Sequence, residues 1–242
     1  MTDYFAGQIA LDYDKDVAAS FAPDVIAPTV RALTKLAAGG ACLEFAIGTG
    51  RVALLLRAAG VTVDGIEYSA DMIRELRKRP GGPQIHVVQG DMASVDMGKT
   101  YSLVFLVFNT IMNLTRQEAQ VACFRNASRH LTQGGKFAVE VMVPDLRKYP
   151  PGGLAVPFDI SAHHLGFDTY VVSEQKLTSH HVTINPDGSS HYNSLPFRYV
   201  WPAELDLMAQ LAGMRLVSRH SDWSGALFDD TSRTHVSVWE KC

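Results

Sequence analysis

Leu43-Glu44-Phe45-Ala46-Ile47-Gly48-Thr49-Gly50-Arg51 is the stretch that decides how this 242-residue chain is read. An apolar run enters a tight turn of small residues, then passes into the helical pattern Val52-Ala53-Leu54-Leu55-Leu56. The pattern predicts a strand over 41–47, a turn, and a helix over 51–59 stopped by Gly60. Gly48 and Gly50 allow backbone conformations and close ligand approach that a side chain would block. The helix N-terminus behind them presents free N–H groups. A strand–glycine–helix turn serves many nucleotide folds, so the neighbouring segments have to narrow the choice.

Downstream, short apolar runs alternate with helical patterns as far as about residue 143. A second strand over 61–66 is closed by Glu67. Ser69 caps the next helix, Asp71 suits its first turn, and Pro80-Gly81-Gly82-Pro83 ends it. Strands follow over 85–88 and 103–108. Thr115 and Glu118 match a capping box for a helix running to about 131 and stopped at Gly134-Gly135, ahead of a strand over 136–143. Alternation of this kind predicts a parallel sheet covered by helices on both faces.

The pattern changes after Pro150-Pro151-Gly152-Gly153. Residues 167–200 read as strands, with Asn185-Pro186-Asp187-Gly188 as a turn, and predict an antiparallel insertion over the active-site end of the sheet. Pro202 then opens a helix with Leu205, Met208, Ala209 and Ala212 on one face, and strands follow over 215–220 and 234–240. The expected fold is α/β: a doubly wound, mostly parallel seven-stranded sheet. Residues 1–149 and 201–242 form its core, and 150–200 form a β cap that contacts substrate.

Three acids stand at successive strand ends: Glu44, Glu67 and Asp91. In a parallel sheet those ends share one crevice, where ligands bind at the switch point. Glu67 can accept both hydroxyls of a ribose. Asp91 can accept from an adenine amine, with Met92 as an apolar face for the ring. Glu44 can receive a ligand ammonium or order the turn. Plainer roles stand beside these: Glu44 and Asp91 as caps, Met92 and Phe108 as core.

Glu-x-Ala-x-Gly-Thr-Gly-Arg from Glu44, Gly-Ile-Glu-x-Ser-x-x-Met from Gly65, Gly90-Asp91-Met92 and Leu-x-x-Gly-Gly-Lys-Phe from Leu131 resemble the successive motifs of class I S-adenosylmethionine-dependent methyltransferases. The resemblance spans residues 40–143 in order. It implies S-adenosyl-L-methionine as cofactor, with Gly48 and Gly50 bordering its methionine part, Glu67 binding the ribose, and Asp91 and Met92 framing the adenine. Glu44, Ala46, Arg51, Tyr68, Met72 and Ala93 complete the expected cofactor-binding set. Phe108 would face the cofactor and Asn109, Asn113 and Tyr199 the acceptor. Tyr4, Phe5 and above all Tyr13 resemble an aromatic lid. Ala46 departs from the family, which commonly has glycine there.

The reaction so implied is methyl transfer to a nitrogen or oxygen of a small molecule, a natural-product intermediate among the options. It proceeds by in-line displacement and is helped by alignment and desolvation. A hydroxyl acceptor would profit from a base. His164 and His181, in the insertion, are the first candidates; strand or loop residues satisfied by hydrogen bonds are the alternative. No spacing suggests a metal site.

A net charge of −3 and the lack of a basic stripe argue against a nucleic-acid partner. The run Arg74, Arg77, Lys78 and Arg79 is read as closing a helix. The longest apolar run is too short to cross a membrane. With Cys42, Cys123 and Cys242 far apart and no leader pattern at the start, the expectation is a cytoplasmic monomer or homodimer.

Three alternatives compete. Gly48-x-Gly50-x-x-Ala53 also fits a nicotinamide-dependent oxidoreductase, although Glu44 would repel a pyrophosphate. A nucleic-acid methyltransferase acting on adenine usually carries Asn/Asp-Pro-Pro-aromatic where Phe108-Asn109-Thr110-Ile111 stands here. A non-catalytic binding protein on the same fold is the third.

Overall fold

The computed structural model describes residues 3–18, 22–149, 152–153 and 155–242. Its larger sheet has seven strands in the order β3-β2-β1-β4-β5-β11-β10. Their ranges are β1 Cys42–Phe45, β2 Val63–Glu67, β3 Val87–Gln89, β4 Tyr101–Leu106, β5 Leu131–Met142, β10 Met214–His220 and β11 Thr234–Lys241. The first five run parallel, and β11 inserts antiparallel between β5 and β10.

Every residue of β1 and β2 is buried, which is why these strands show no polar alternation. Helices α2 (Pro23–Ala37), α3 (Arg51–Ala58) and α4 (Ala70–Lys78) supply Leu33, Leu56 and Leu76 to one face. Helices α5 (Gln117–His130) and α6 (Pro202–Leu211) cover the other, where Phe124 packs edge-on to Phe137 at 5.0 Å and to Trp239 at 5.3 Å. Each such side chain contributes roughly 1.5–3 kcal/mol by leaving water.

Two local expectations fail. The Thr115–Glu118 capping box does not form: α5 starts at Gln117, with Arg116 in the cap position and no side-chain cap. Leu114, almost fully buried, anchors the preceding 3₁₀ turn Thr110–Asn113 and moves the helix start past Thr115. Nor does Gly134-Gly135 end that helix. The buried His130 closes it by accepting the Met97 N–H at 2.9 Å. The glycines then fall in an irregular part of β5, between the pairings Tyr101–Leu131 and Leu103–Lys136.

A second, four-stranded antiparallel sheet follows: β6 (Val156–Ile160), β7 (His164–Val171), β8 (Lys176–Ile184) and β9 (Ser190–Arg198), paired in that order. The Asn185-to-Gly188 turn forms, with Gly188 at φ 83°. The chain change at Pro150-Pro151 lies outside the described residues. Strand β6 escaped the sequence reading because Pro157 breaks its pattern; an edge strand with a bulge tolerates that proline.

Helix α1 (Gln8–Asp16), unforeseen as a helix, packs against α4 and reaches the turn after β1 through Asp14 and Thr49. Arg198 ends β9 in a buried polar knot. It donates to Glu204 of α6 at 2.7 Å, to Gln175 at 2.9 Å and to Gln120 of α5. This knot joins the second sheet to the first. Among the described residues no helix is long and apolar enough to cross a membrane.

Candidate active site

The C-terminal ends of β1, β2 and β4 diverge at the switch point and leave a crevice beneath α1. It comprises two cavities that share Ala46 in their walls. One is lined by Glu67, Tyr68, Ser69, Gly90, Asp91 and Met92. Asp3, Tyr4 and Phe5 close it on one side; Asn113, Leu114, Leu195, Pro196 and Phe197 close it on another. The other cavity is lined by Tyr13, Glu44, Ile47, Gly48, Thr49 and Arg51, with Val107, Phe108 and Thr110.

Glu67 is held rigidly. Its Oε2 accepts the Gly48 N–H and its Oε1 the Ser69 N–H, both at 2.8 Å. Burial pushes this carboxyl up, and the two amides work against that rise. Gly48, whose amide reaches Glu67, sits at φ 57°, a conformation that favours glycine. Ala46 also has a positive φ, 52°, in the region where alanine costs roughly 1–2 kcal/mol over glycine.

Glu44 is buried at the root of the turn. Burial raises its carboxyl well above the usual range, the Ala53 N–H in the first turn of α3 lowers it, and the charge of Glu67 raises it further. Its Oε2 is buried with no hydrogen-bond partner among the described residues. An unsatisfied carboxylate oxygen beside a cavity is a costly arrangement that a cation would relieve. Asp91 Oδ1 accepts the Ala93 N–H at 2.8 Å, an Asx turn that fixes the carboxylate at the cavity wall.

Helix α1 is tied down at both ends. Gly7 N–H donates to Asp71 at 2.6 Å, and the Ser69 hydroxyl to the Phe5 carbonyl at 3.2 Å. Asp14 accepts from the Thr49 hydroxyl at 2.7 Å and pairs with Arg51 and Arg79. Tyr13 meets Phe5 edge-on at 6.2 Å, and burial raises its phenol above the ordinary value.

The sequence-predicted residues divide as follows. Tyr13, Glu44, Ala46, Gly48, Arg51, Glu67, Tyr68, Asp91, Met92, Phe108 and Asn113 line the crevice. Gly50 does not; a Cβ there would meet the Leu76 side chain at 2.2 Å, so this glycine admits α4 packing instead. Met72 is buried beneath the Ser69 cap, and Ala93 serves through its N–H to Asp91. Asn109 is exposed, with its side-chain oxygen accepting the Met142 N–H at 2.7 Å.

Tyr199, expected to face the acceptor, lies outside both cavities. It is 1% exposed, packed 5.8 Å from Tyr170 with its hydroxyl on the Val172 carbonyl. His164 and His181 line neither cavity either. They form a chain on the second sheet: Asp159 to His164 at 2.6 Å, His164 to His181 at 3.0 Å, and His181 to Ser179 at 3.2 Å. Ser179 pairs across with Leu195, so this row adjoins the cavity wall. Burial and the neighbouring His164 and His180 hold His181 below the ordinary histidine value.

Asp14, Leu195 and Pro196 were missed. Asp14 stands in an unremarkable run of charge, and the β9 residues come near the crevice only through the docking of the second sheet. Among the described residues no group of His, Cys, Asp and Glu could hold a metal ion.

A family model described as a methyltransferase domain matches residues 42–135. The solved structure of the CcbJ methyltransferase from Streptomyces caelestis is similar over 99% of this chain and 98% of that one, with 33% identity and a TM-score of 0.88. This chain belongs to the S-adenosylmethionine-dependent methyltransferases. The methyltransferase also shares its fold with S-adenosylmethionine-bound CalS10, an amino pentose methyltransferase from Micromonospora echinaspora. That likeness has a TM-score of 0.70 and 18% identity, and covers the whole of both chains. A relative at 23% identity over 84% of each chain is the cypemycin N-terminal methyltransferase of a Streptomyces species. The methyltransferase uses S-adenosylmethionine as its cofactor, and the oxidoreductase alternative is not favoured.

Proposed function

We propose that this methyltransferase methylates an amine nitrogen on a small natural-product-type acceptor. The observation that carries the reading is the part of the crevice wall not assigned to the cofactor, where Asp3 stands with the apolar Leu114, Leu195 and Phe197. A carboxylate can accept from an amine N–H, and apolar walls strip water from the amine as it approaches. The amine acceptors named for the amino pentose and N-terminal methyltransferases above support nitrogen over oxygen.

The residues present fit S-adenosylmethionine. The partnerless Glu44 Oε2 suits the ammonium, and Arg51 the carboxylate, of its methionine part. Glu67, oriented by two amides, suits the ribose hydroxyls; Asp91 and Met92 suit the adenine. When bound, the cofactor supplies a methyl carbon made electrophilic by the sulfonium. The chain supplies alignment, worth up to about 7–11 kcal/mol in such reactions, and exclusion of water by α1 and β9. Asn113 bounds the acceptor side of the crevice.

In this reading residues 150–200 contact the part of the acceptor remote from the amine. His164 and His181 stand on that sheet outside both cavities; His181, held below the ordinary histidine value, is the candidate to relay the shed proton to solvent.

The test is a panel of amino-sugar, peptide N-terminal and phenolic acceptors incubated with S-adenosylmethionine, with the added methyl located by NMR. Methyl on nitrogen is the expected product. Methylation of hydroxyl oxygen alone would overturn the assignment.

A further inference from the structure

From Phe137 to Met142 strand β5 is apolar on both faces except at Glu140. Phe137, Val139 and Val141 point to the α5–α6 core, and Ala138 to the opposite one, which also holds Val107, Phe108 and Trp223. By alternation Glu140 shares the face of Ala138. A carboxylate there is an expensive choice. Burial raises its carboxyl, and the groups that oppose the rise are the Phe108 N–H and the Trp223 side chain.

What the carboxylate holds explains its presence. Glu140 Oε2 accepts the Phe108 N–H at 3.2 Å, and its own carbonyl accepts the Asn109 N–H at 3.2 Å. Phe108 and Asn109 are consecutive non-glycine residues in the left-handed region, at φ 55° and 61°. Two such residues in succession persist only where the surroundings over-determine them, and such turns cluster at functional sites. A further tie from β5 is the Met142 N–H to Asn109 Oδ1. This turn places Val107, Phe108 and Thr110 in the wall of the Glu44 cavity.

We propose that Glu140 is a positioning residue for methyl transfer: its carboxylate holds the strained Phe108–Asn109 turn in the shape that aligns the acceptor with the methyl carbon. The proposal rests on the reading of the crevice given above. It needs an oxygen at the reach of a glutamate side chain and does not need its negative charge.

The test compares Glu140→Gln, Glu140→Asp and Glu140→Leu for kcat, acceptor KM, S-adenosylhomocysteine affinity and melting temperature. Glutamine keeps the accepting oxygen in place and should retain kcat within about threefold. Aspartate keeps the charge but falls short, and leucine removes the oxygen. Both should lose kcat by about tenfold to a hundredfold, the scale of an ångström-sized misplacement, with a clearly smaller loss of S-adenosylhomocysteine affinity, because Phe108 also walls the Glu44 cavity. The aspartate variant judges the proposal if leucine does not fold. Wild-type kcat in the aspartate variant, or equal losses in glutamine and aspartate, would overturn it. So would a fall in S-adenosylhomocysteine affinity and melting temperature that matches the fall in kcat. A wild-type enzyme that methylates only oxygen would sink the amine assignment, while the same ratios on that acceptor still judge Glu140.

Discussion

The parallel-strand crevice and the antiparallel cap sheet solve different problems with the same kinds of residue. In the crevice, Glu44 and Glu67 are buried, and each is oriented by backbone N–H groups from the chain segments that follow the strand ends. In the cap, Asp159, His164, His181 and Ser179 are half-buried or exposed and hydrogen-bond one another side chain to side chain. The first arrangement is rigid because the backbone sets it. The second can change with the side chains chosen. A fold that keeps one cofactor site while varying its substrate would divide its residues in this way.

The comparison is sharpest at the joint. Arg198 and Glu204, with side chains only 7% and 15% exposed, are the ion pair that anchors the cap to the core. Arg198→Met should cost about 3–5 kcal/mol in chemical denaturation, because Glu204 would be left as a buried unpaired charge. A loss below about 1 kcal/mol would mean that the cap is held by its apolar contacts alone.

The next effect belongs to the core. His235 is fully buried on β11, and burial lowers its pKa to about 4, with the Arg219 charge adding to the shift. The unfolded chain takes up this proton below pH 6.5 and the folded one does not. Stability should therefore fall as pH drops from 6.5 towards 4, by on the order of 3 kcal/mol. His235→Gln should flatten that slope. A slope unchanged in this variant would assign the acid sensitivity elsewhere.

A crossed pair gives the smallest and most specific test. Glu67→Ala should weaken S-adenosylhomocysteine binding by about 1–3 kcal/mol in calorimetry. His181→Ala should leave that affinity alone and raise the acceptor KM by about 0.5–1.5 kcal/mol equivalent. Effects of both variants on both ligands would break the division between the two regions.

Much of this molecule is legible in one dimension. The order of parallel strands, the glycine turn and the three acids follow from local pattern. A strand buried on both faces must be apolar throughout, and an acid at its end must meet the crevice. The Asn185-to-Gly188 turn and the Pro202 helix are equally local. Where neighbours in sequence compete, pattern misleads: Leu114 and His130 outweigh the Thr115–Glu118 box and the Gly134-Gly135 stop because their burial is worth more than an exposed cap.

The sequence by itself determined the parallel core and which acids face its crevice, since strand periodicity and strand ends are properties of consecutive residues. Tertiary structure alone decided that Asp14 would pin the lid, that Leu195 and Phe197 would wall the cavity, that Tyr199 would be core, and that Glu140 would reach Phe108. Those contacts join residues that lie from 27 to more than a hundred positions apart. They exist only because packing brings separate elements together, and no spacing rule along the chain encodes such an encounter.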